Sequence, residues 1–341
     1  MKNKKNGYGI LTAVILVAVI AIGVFIVLGF MDKKETENQK TLTTTDTPAE
    51  NPIETESSVE KVTGKEITYK GKNYTYNSDI RNILFLGVDK KEEMQIQEYE
   101  GRGGQSDCII LLSLNTKEKT AFMLNISRDS MTDIDIYGAG GDFVATEKAQ
   151  IALQYAYGDG EKKSCWLTKK AVANLLNDIP IHSCLALNID GISTINDVLG
   201  GVKITVPEDY TFIDPAFVKG ETLTLSGSQA ERYVRYRDIN ELGSNNGRMV
   251  RQNQFLRALV SLLKEKLSEN SSYVDALLKA GKSFMTTDMT VDEMKELASY
   301  DLNEEFIKVP GESRKGAEHD EYTVIYDMLN ELLVKLFYIE D

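Results

Sequence analysis

The sequence predicts an α/β body in which a mixed central β-sheet is covered by helices, preceded by a single transmembrane helix. Three observations predict this. An uncharged apolar stretch, Ile10 to Met31, stands behind a lysine-bearing start. Two continuous apolar runs, Asn82-Ile83-Leu84-Phe85-Leu86-Gly87-Val88-Asp89 and Cys108-Ile109-Ile110-Leu111-Leu112-Ser113-Leu114, read as strands buried on both faces. Beyond them helical and strand patterns alternate, as they do when helices cover a sheet.

The apolar stretch has the length of a bilayer-spanning helix. Lys2, Lys4 and Lys5 precede it, so residues 1–9 are expected in the cytoplasm, 10–31 in the membrane and the remainder outside the cell. A cleaved signal peptide would have a shorter apolar core and a small-residue cleavage site, and Leu28-Gly29-Phe30-Met31 is a poor one. Residues 32–64 are rich in Thr, Glu and Lys, include Pro48 and Pro52, and have few large apolar side chains; such a segment reads as a flexible extracellular tether. Residues 65–80 form a lead-in, a small hairpin of Glu66–Tyr69 and Asn73–Tyr76 about Gly71.

The body is expected over 81–341. Its first strand ends at Gly87-Val88-Asp89. Lys90 to Gly104 is polar and reads as a surface loop. The second strand is entered through Gln105-Ser106-Asp107 and turns at Asn115–Lys119 into a third, Thr120–Ile126, which ends at Ser127-Arg128-Asp129-Ser130. Helices are expected at Ala149–Tyr157, Leu167–Asn177 and Ile192–Leu199, the last closed by Gly200-Gly201. Strands are expected at Cys184–Asn188 and Val202–Val206. Ser226 and Gln229 have capping-box spacing, which starts a short helix running to about Val234. Asn245-Asn246-Gly247 opens a helix with apolar positions at Leu256, Leu259, Val260, Leu263 and Leu267. Helices at Val274–Phe284 and Val291–Tyr300, a strand at Phe306–Val309 and a helix at Tyr322–Phe337 complete the chain.

Net charge is −13, which argues against general nucleic-acid binding. Yet six of the ten arginines fall between Arg232 and Arg257. Arginine makes forked contacts with phosphate, so a basic cluster in an acidic protein points to an anion site. Arg235 and Arg237 emerge at the end of the short helix. Arg248 and Arg251 lie on the first turns of the next, where free N–H groups favour phosphate. Arginines near a helix C-terminus by themselves only suit its dipole, but at an N-terminus the dipole disfavours them. The second and third strands are joined by a short turn, so Asp107 and Arg128 belong to one edge of the sheet. Asp89 joins them if the first strand runs parallel to the third. An aspartate after a strand is ordinary turn chemistry. Two carboxylates meeting an arginine are more than that, since with water and phosphate oxygens they form a Mg²⁺ ligand set. The three cysteines lack zinc-site spacing. Cys108 reads as a buried thiol, and Cys165 and Cys184 can pair if the body is extracellular. Neither His182 nor His319 stands in a setting for nucleophilic catalysis.

These motifs resemble the LytR–CpsA–Psr family of cell-envelope proteins. The resemblance rests on Asn82 through Asp89, Ser106-Asp107, Asn125-Ile126-Ser127-Arg128-Asp129, Leu187-Asn188-Ile189-Asp190-Gly191 and Leu199-Gly200-Gly201-Val202. It continues through Leu225-Ser226-Gly227, Tyr233-Val234-Arg235-Tyr236-Arg237 and Gly247-Arg248-Met249-Val250-Arg251-Gln252. Each motif is weak alone; their order and spacing are specific. The resemblance implies a phosphotransferase that moves a glycopolymer from a polyprenyl-pyrophosphate carrier to peptidoglycan or another envelope acceptor. Arg128, Arg235, Arg237 and Arg248 would bind the phosphates and stabilise their transfer, with Arg251 and Gln105 as further substrate contacts. Asp89 and Asp107 would hold Mg²⁺, or Mn²⁺ in its place. Two positions depart from the family pattern. Gln105 stands where an arginine is common, with Arg102 a nearby substitute. Asn245 stands where an aspartate is common, with Asp238 or Glu241 available as an alternative base. These departures keep a second reading open, a non-catalytic binder of polyprenyl phosphate or wall polymer. A metal-dependent pyrophosphatase is a further enzyme variant. Nothing supports a transcriptional regulator, because no basic helix-turn-helix is present.

Overall fold

The computed structural model describes residues 63–91, 93–97, 101–238, 244–270, 273–317 and 319–341. The expected cytoplasmic tail, membrane span and nearly all of the tether lie outside these residues. Among the described residues no helix is long and apolar enough to cross a membrane.

The apolar runs build the centre. Strands β3 (Ile80–Val88), β4 (Ser106–Asn115) and β5 (Thr120–Ile126) form an antiparallel meander. β8 (Ser183–Asn188) lies parallel to β3, and β12 (Asp301–Lys308) parallel to β5. With β11 (Met285–Thr287) the six-stranded order is β11-β8-β3-β4-β5-β12, a mixed sheet. Strands β3, β5, β8 and β12 therefore run the same way, and their C-terminal ends meet the N-terminal end of β4 on one edge.

Both faces of the sheet are covered, which is why its strands read as unbroken apolar runs rather than alternating ones. Ile83, Phe85, Ile110 and Leu112 point to one face, packed by α2 (Asp190–Val198), α3 (Gly227–Arg235) and α4 (Asn245–Glu269). Leu84, Leu86, Ile109 and Leu111 point to the other, packed by α1 (Lys162–Leu175) and α7 (Tyr326–Phe337). Each such side chain contributes about 1.5–3 kcal/mol by burial. Two further helices, α5 (Tyr273–Gly281) and α6 (Val291–Glu296), overlap the spans expected and end before them.

The lead-in hairpin forms as its alternation predicts: β1 (Glu66–Tyr69) pairs with β2 (Lys72–Tyr76), and Lys70 and Gly71 turn with φ of 49° and 78°. It is also tied to the chain's end, because β15 (Tyr338–Glu340) adds to β2. Two regions differ from expectation. Residues 149–157 are not an α-helix. Met131–Tyr137 (β6) and Phe143–Gln150 (β7) pair as a ribbon, and only Ile151–Tyr155 winds, as a 3₁₀ turn. The last helix starts later than expected. Asp320–Val324 (β14) pairs with Gly311–Lys315 (β13), with Tyr322 and Val324 buried on alternate positions. Both ribbons are half-exposed, so their apolar periodicity is faint. Cys108, Cys165 and Cys184 are buried free thiols, and Cys165 and Cys184 come within hydrogen-bonding reach of each other.

The Gly-Gly after α2 has a backbone cause. Gly200 and Gly201 adopt φ of +84° and +94°, which turns the chain into β9 (Lys203–Thr205), itself paired with β10 (Thr222–Thr224). A Cβ on Gly201 would stand 2.6 Å from the Leu225 carbonyl oxygen. Gly201→Ala is expected to cost about 2 kcal/mol through left-handed strain and this clash. A urea midpoint equal to the wild-type value would contradict it.

Candidate active site

The shared edge of the sheet carries the chemistry. β5 ends in a turn closed by the Ser130 N–H donating to Ser127 O at 3.0 Å. Arg128 leaves this turn and points back over the start of β4. Its two terminal nitrogens donate to Asp107 Oδ1 and, at 2.5 Å, to Gln105 Oε1. Its Nε is buried without a hydrogen-bond partner and lies 3.5 Å from Asp129 Oδ1.

From the opposite side, the first turn of α4 sends Arg248 down to Asp107 Oδ2, at 3.5 Å. Arg248 is 1% exposed, the largest fully buried side chain among the described residues. Burial lowers its pKa to about 10, with Asp107 opposing, so it remains a cation at neutral pH. Burying a charge this deeply is costly unless a partner compensates it. Here the compensation is shared, because Arg128 and Arg248 both face the one Asp107 carboxylate.

Asp89 caps the neighbouring strand, and its Oδ1 accepts the Gln105 N–H at 2.5 Å. Its carboxyl is pushed up to about 6, first by burial and then by the Asp107 charge, with the Gln105 N–H, Arg128 and Arg235 opposing. The expectation that Asp89, Asp107 and Arg128 share one edge is met, because β3 and β5 both run antiparallel to β4.

The segment after α3 supplies the remaining cations. The predicted capping box is present: Ser226 Oγ accepts the Gln229 N–H, and Gln229 Oε1 accepts the Ser226 N–H. Arg235 NH1 donates to Glu231 Oε1 at 2.9 Å, and Lys91 stands 3.9 Å from that same oxygen. Arg237 NH2 donates to Asp320 Oδ2 at 2.9 Å, while its NH1 lies 3.8 Å from Asp129 Oδ2. Arg251 is placed differently. Its Nε donates to Tyr233 O at 2.9 Å, its NH2 donates to Tyr236 O, and its guanidinium stacks 5.2 Å from the Tyr210 ring centroid. It closes the C-terminal end of α3 and turns away from the carboxylates. Asn245 opens α4, but its side chain and Glu241 lie outside the description. Asp238 offers its backbone carbonyl to Ser244 Oγ at 2.6 Å, and Arg102 is exposed.

Three residues at this edge carry no expectation from the sequence: Asp320, Gln150 and Lys308. Gln150 Nε2 donates to Asp129 Oδ1 at 3.0 Å and to Asp320 O at 2.8 Å. Lys308 ends β12 with its Nζ 4.5 Å from the Tyr322 ring centroid; burial lowers its pKa, with Asp129 opposing. The only sequence trace of Lys308 and Asp320 is that β12 ends and β14 begins in a charged residue, and Gln150, at the end of β7, has none.

The acids and bases nearly balance. Asp89, Asp107, Asp129 and Asp320 face Arg128, Arg235, Arg237 and Arg248, so a polyanion entering here meets a near-neutral cluster. A divalent cation fits that need at Asp89 and Asp107, where one carboxylate already raises the pKa of the other. No group of three or more His, Cys, Asp or Glu side chains among the described residues is arranged about a metal position. Asp89 and Asp107 are the two carboxylates that could hold such an ion, and water and phosphate oxygens would have to complete its shell.

Comparison with known proteins places the chain in a family and confirms its fold. Over 218 residues the chain is 32% identical to the polyisoprenyl-teichoic acid–peptidoglycan teichoic acid transferase TagU of Halalkalibacterium halodurans, a match spanning 64% of each chain. Among solved structures, TagV of B. subtilis aligns with a TM-score of 0.54 at 22% identity, covering 76% of this chain and 97% of that one. TagT bound to LIIa-WTA aligns with a TM-score of 0.54 at 24% identity, covering 76% and 90%. These two likenesses establish the fold. The LytR_cpsA_psr family model matches residues 36–337, and the chain belongs to the LytR–CpsA–Psr family.

Proposed function

We propose that this protein is a membrane-anchored phosphotransferase that moves a glycopolymer from a polyprenyl-pyrophosphate carrier to peptidoglycan or another cell-envelope acceptor. The observation that carries the proposal is the convergence of Arg128, Arg237 and Arg248 with Asp89 and Asp107 at one sheet edge. Phosphoryl transfer is mostly positioning and charge neutralisation, which this set supplies without a histidine. Family membership and the transferase name of the TagU relative support the same reading.

In this reading Arg128, Arg235, Arg237 and Arg248 bind the pyrophosphate oxygens. Asp89 and Asp107 would hold Mg²⁺, or Mn²⁺, whose charge would offset that gathering on the leaving phosphate. The acceptor hydroxyl attacks the phosphorus that bears the glycan, and the bond from that phosphorus to polyprenyl phosphate breaks. A glycan phosphodiester, polyprenyl phosphate and the acceptor's proton are released. Gln105 acts on the substrate through Arg128, whose fork it orients. Arg251 acts through α3, whose end it fixes so that Arg235 and Arg237 emerge at the site. The hydropathy of residues 10–31 and the lysines before them support a single-pass anchor with the body outside the cell.

The test is transfer of a labelled glycan from a synthetic polyprenyl-pyrophosphate donor onto purified peptidoglycan by the full chain in detergent. Arg235→Ala is expected to reduce transfer about a hundredfold, the scale of losing one charge-stabilising donor. Retention of the donor without any transfer by the wild type would favour the non-catalytic binder, and an equal rate in Arg235→Ala would remove that arginine from the site.

A further inference from the structure

We propose that Asp320, at the first position of β14, is a positioning residue for the transfer, holding the Arg237 fork against the phosphates from a hairpin far along the chain from the arginine motifs. The inference rests on reading the arginine set as a pyrophosphate site.

Arg237 needs such a partner. It stands beyond the end of α3, in residues 236–238, where no helix or strand holds the backbone. Within its reach is Asp129, the carboxylate beside Arg128, with 3.8 Å between Arg237 NH1 and Asp129 Oδ2. Arg237 Nε donates to Ser244 Oγ at 3.3 Å, but a terminal fork with no further acceptor would pair with Asp129 alone and be lost to a substrate. Asp320 prevents this by binding the other terminal nitrogen, NH2, at 2.9 Å. The side chains of Arg237 and Asp320 are each 7% exposed, so the pair is poorly screened by solvent.

Asp320 is itself fixed at both its side chain and its backbone. In the β13–β14 register it faces Lys315, whose Nζ lies 3.2 Å from Asp320 Oδ1. Its backbone carbonyl accepts from Gln150, and the same Gln150 nitrogen donates to Asp129. The Tyr322 N–H, two residues on, donates to Asp129 O at 2.8 Å. The hairpin is thus stitched to the Arg128-Asp129 turn, and a shift of either moves both. Lys315 has a second effect. By sharing the Asp320 carboxylate it leaves the field of Arg237 less cancelled than an unshared ion pair would.

Residues that orient a ligand-binding group typically contribute about 10–100-fold to its function. Asp320→Asn keeps the shape and removes the charge. In the full chain, with a synthetic polyprenyl-pyrophosphate disaccharide and purified peptidoglycan, it is expected to lower kcat about 10–100-fold and to raise the donor KM only about two- to fivefold, the scale on which pyrophosphate binding weakens. In an Arg237→Lys background the same change is expected to add less than about twofold, because a residue acting through Arg237 has nothing left to position. Losses that multiply would overturn the proposal, as would an Asp320→Asn protein that works like wild type while Arg237→Lys is impaired. If the wild type transfers nothing, the parent reading fails, and calorimetry with inorganic pyrophosphate and Mg²⁺ still decides this one: Asp320→Asn must weaken binding in the wild-type background and not in Arg237→Lys. Lys315→Gln, on a side chain 61% exposed, covers the case in which Asp320→Asn does not fold. It is expected to weaken pyrophosphate binding about two- to fivefold by returning the full Asp320 charge to Arg237, and unchanged binding would count against the proposal.

Discussion

Arg128→Ala is expected to reduce transfer about a thousandfold or more, the upper range for removing one electrostatic donor from a water-poor site. The size follows from its place. Arg128 is 3% exposed, its fork spans Asp107 and Gln105, and its Nε is buried with no hydrogen-bond partner of its own. Truncation removes a proposed phosphate ligand and also frees Gln105 Oε1 and Asp107 Oδ1. The variant is therefore expected to lose stability as well, by about 3 kcal/mol, the lower end for breaking a buried ion pair. The lower end applies because Arg248 stays at 3.5 Å from the other Asp107 oxygen. Arg128→Lys separates the two effects. It keeps the charge that Asp107 needs but cannot reproduce the planar fork, so stability should largely return and transfer should not. Urea unfolding and transfer measured side by side check this. Recovery of transfer in Arg128→Lys would mean that charge alone matters at this position, and that the fork onto Gln105 does not.

The heart of this site was legible because it sits at ends of strands that the sequence marks strongly. Two long apolar runs and a five-residue turn leave one arrangement in which Asp107 and Arg128 can meet, and the observed register is that arrangement. Asp89 depended on the direction of β3, which its antiparallel pairing with β4 decided. Arg251 shows where such reasoning stops. It lies three residues from Arg248 on one helix, yet Arg248 reaches a carboxylate and Arg251 reaches two backbone carbonyls. Open carbonyls at a helix end attract a guanidinium as readily as an anion does, and residue type alone cannot tell the two apart. Asp320 was out of reach for another reason. It contacts Arg237 across 83 positions of chain. That contact depends on a half-exposed ribbon whose alternation is too weak to announce a strand. The ribbon β6–β7 was missed on the same grounds, and with it the route by which Gln150 reaches Asp129.

The carboxyl of Asp89 should make the metal-free protein lose stability as pH rises from about 4 to 6. Its folded pKa is about 6, while an unfolded chain has about 3.9. Between these values the native state holds a proton that the unfolded chain has released. Stability then falls with rising pH, by about 1.4 kcal/mol per unit, reaching about 3 kcal/mol above pH 6. Below pH 4 both states are protonated and the penalty vanishes. The cause is the burial of Asp89 beside Asp107, so an amide, which has no charge to desolvate, should escape it. In the presence of a chelator Asp89→Asn is expected to melt about 6 °C above wild type at pH 7 and at nearly the same temperature at pH 4. Added Mg²⁺ should raise the wild-type midpoint at pH 7, where Asp89 is ionised, and leave Asp89→Asn much less affected, because a cation held by the two carboxylates cancels the repulsion that raises the pKa. A difference between the two proteins that does not change from pH 4 to pH 7 would show that Asp89 ionises freely in the fold. An equal response of both to Mg²⁺ would place the ion somewhere other than between Asp89 and Asp107. The same amide should transfer poorly at every pH, so this position is one where stability and the proposed activity pull in opposite directions.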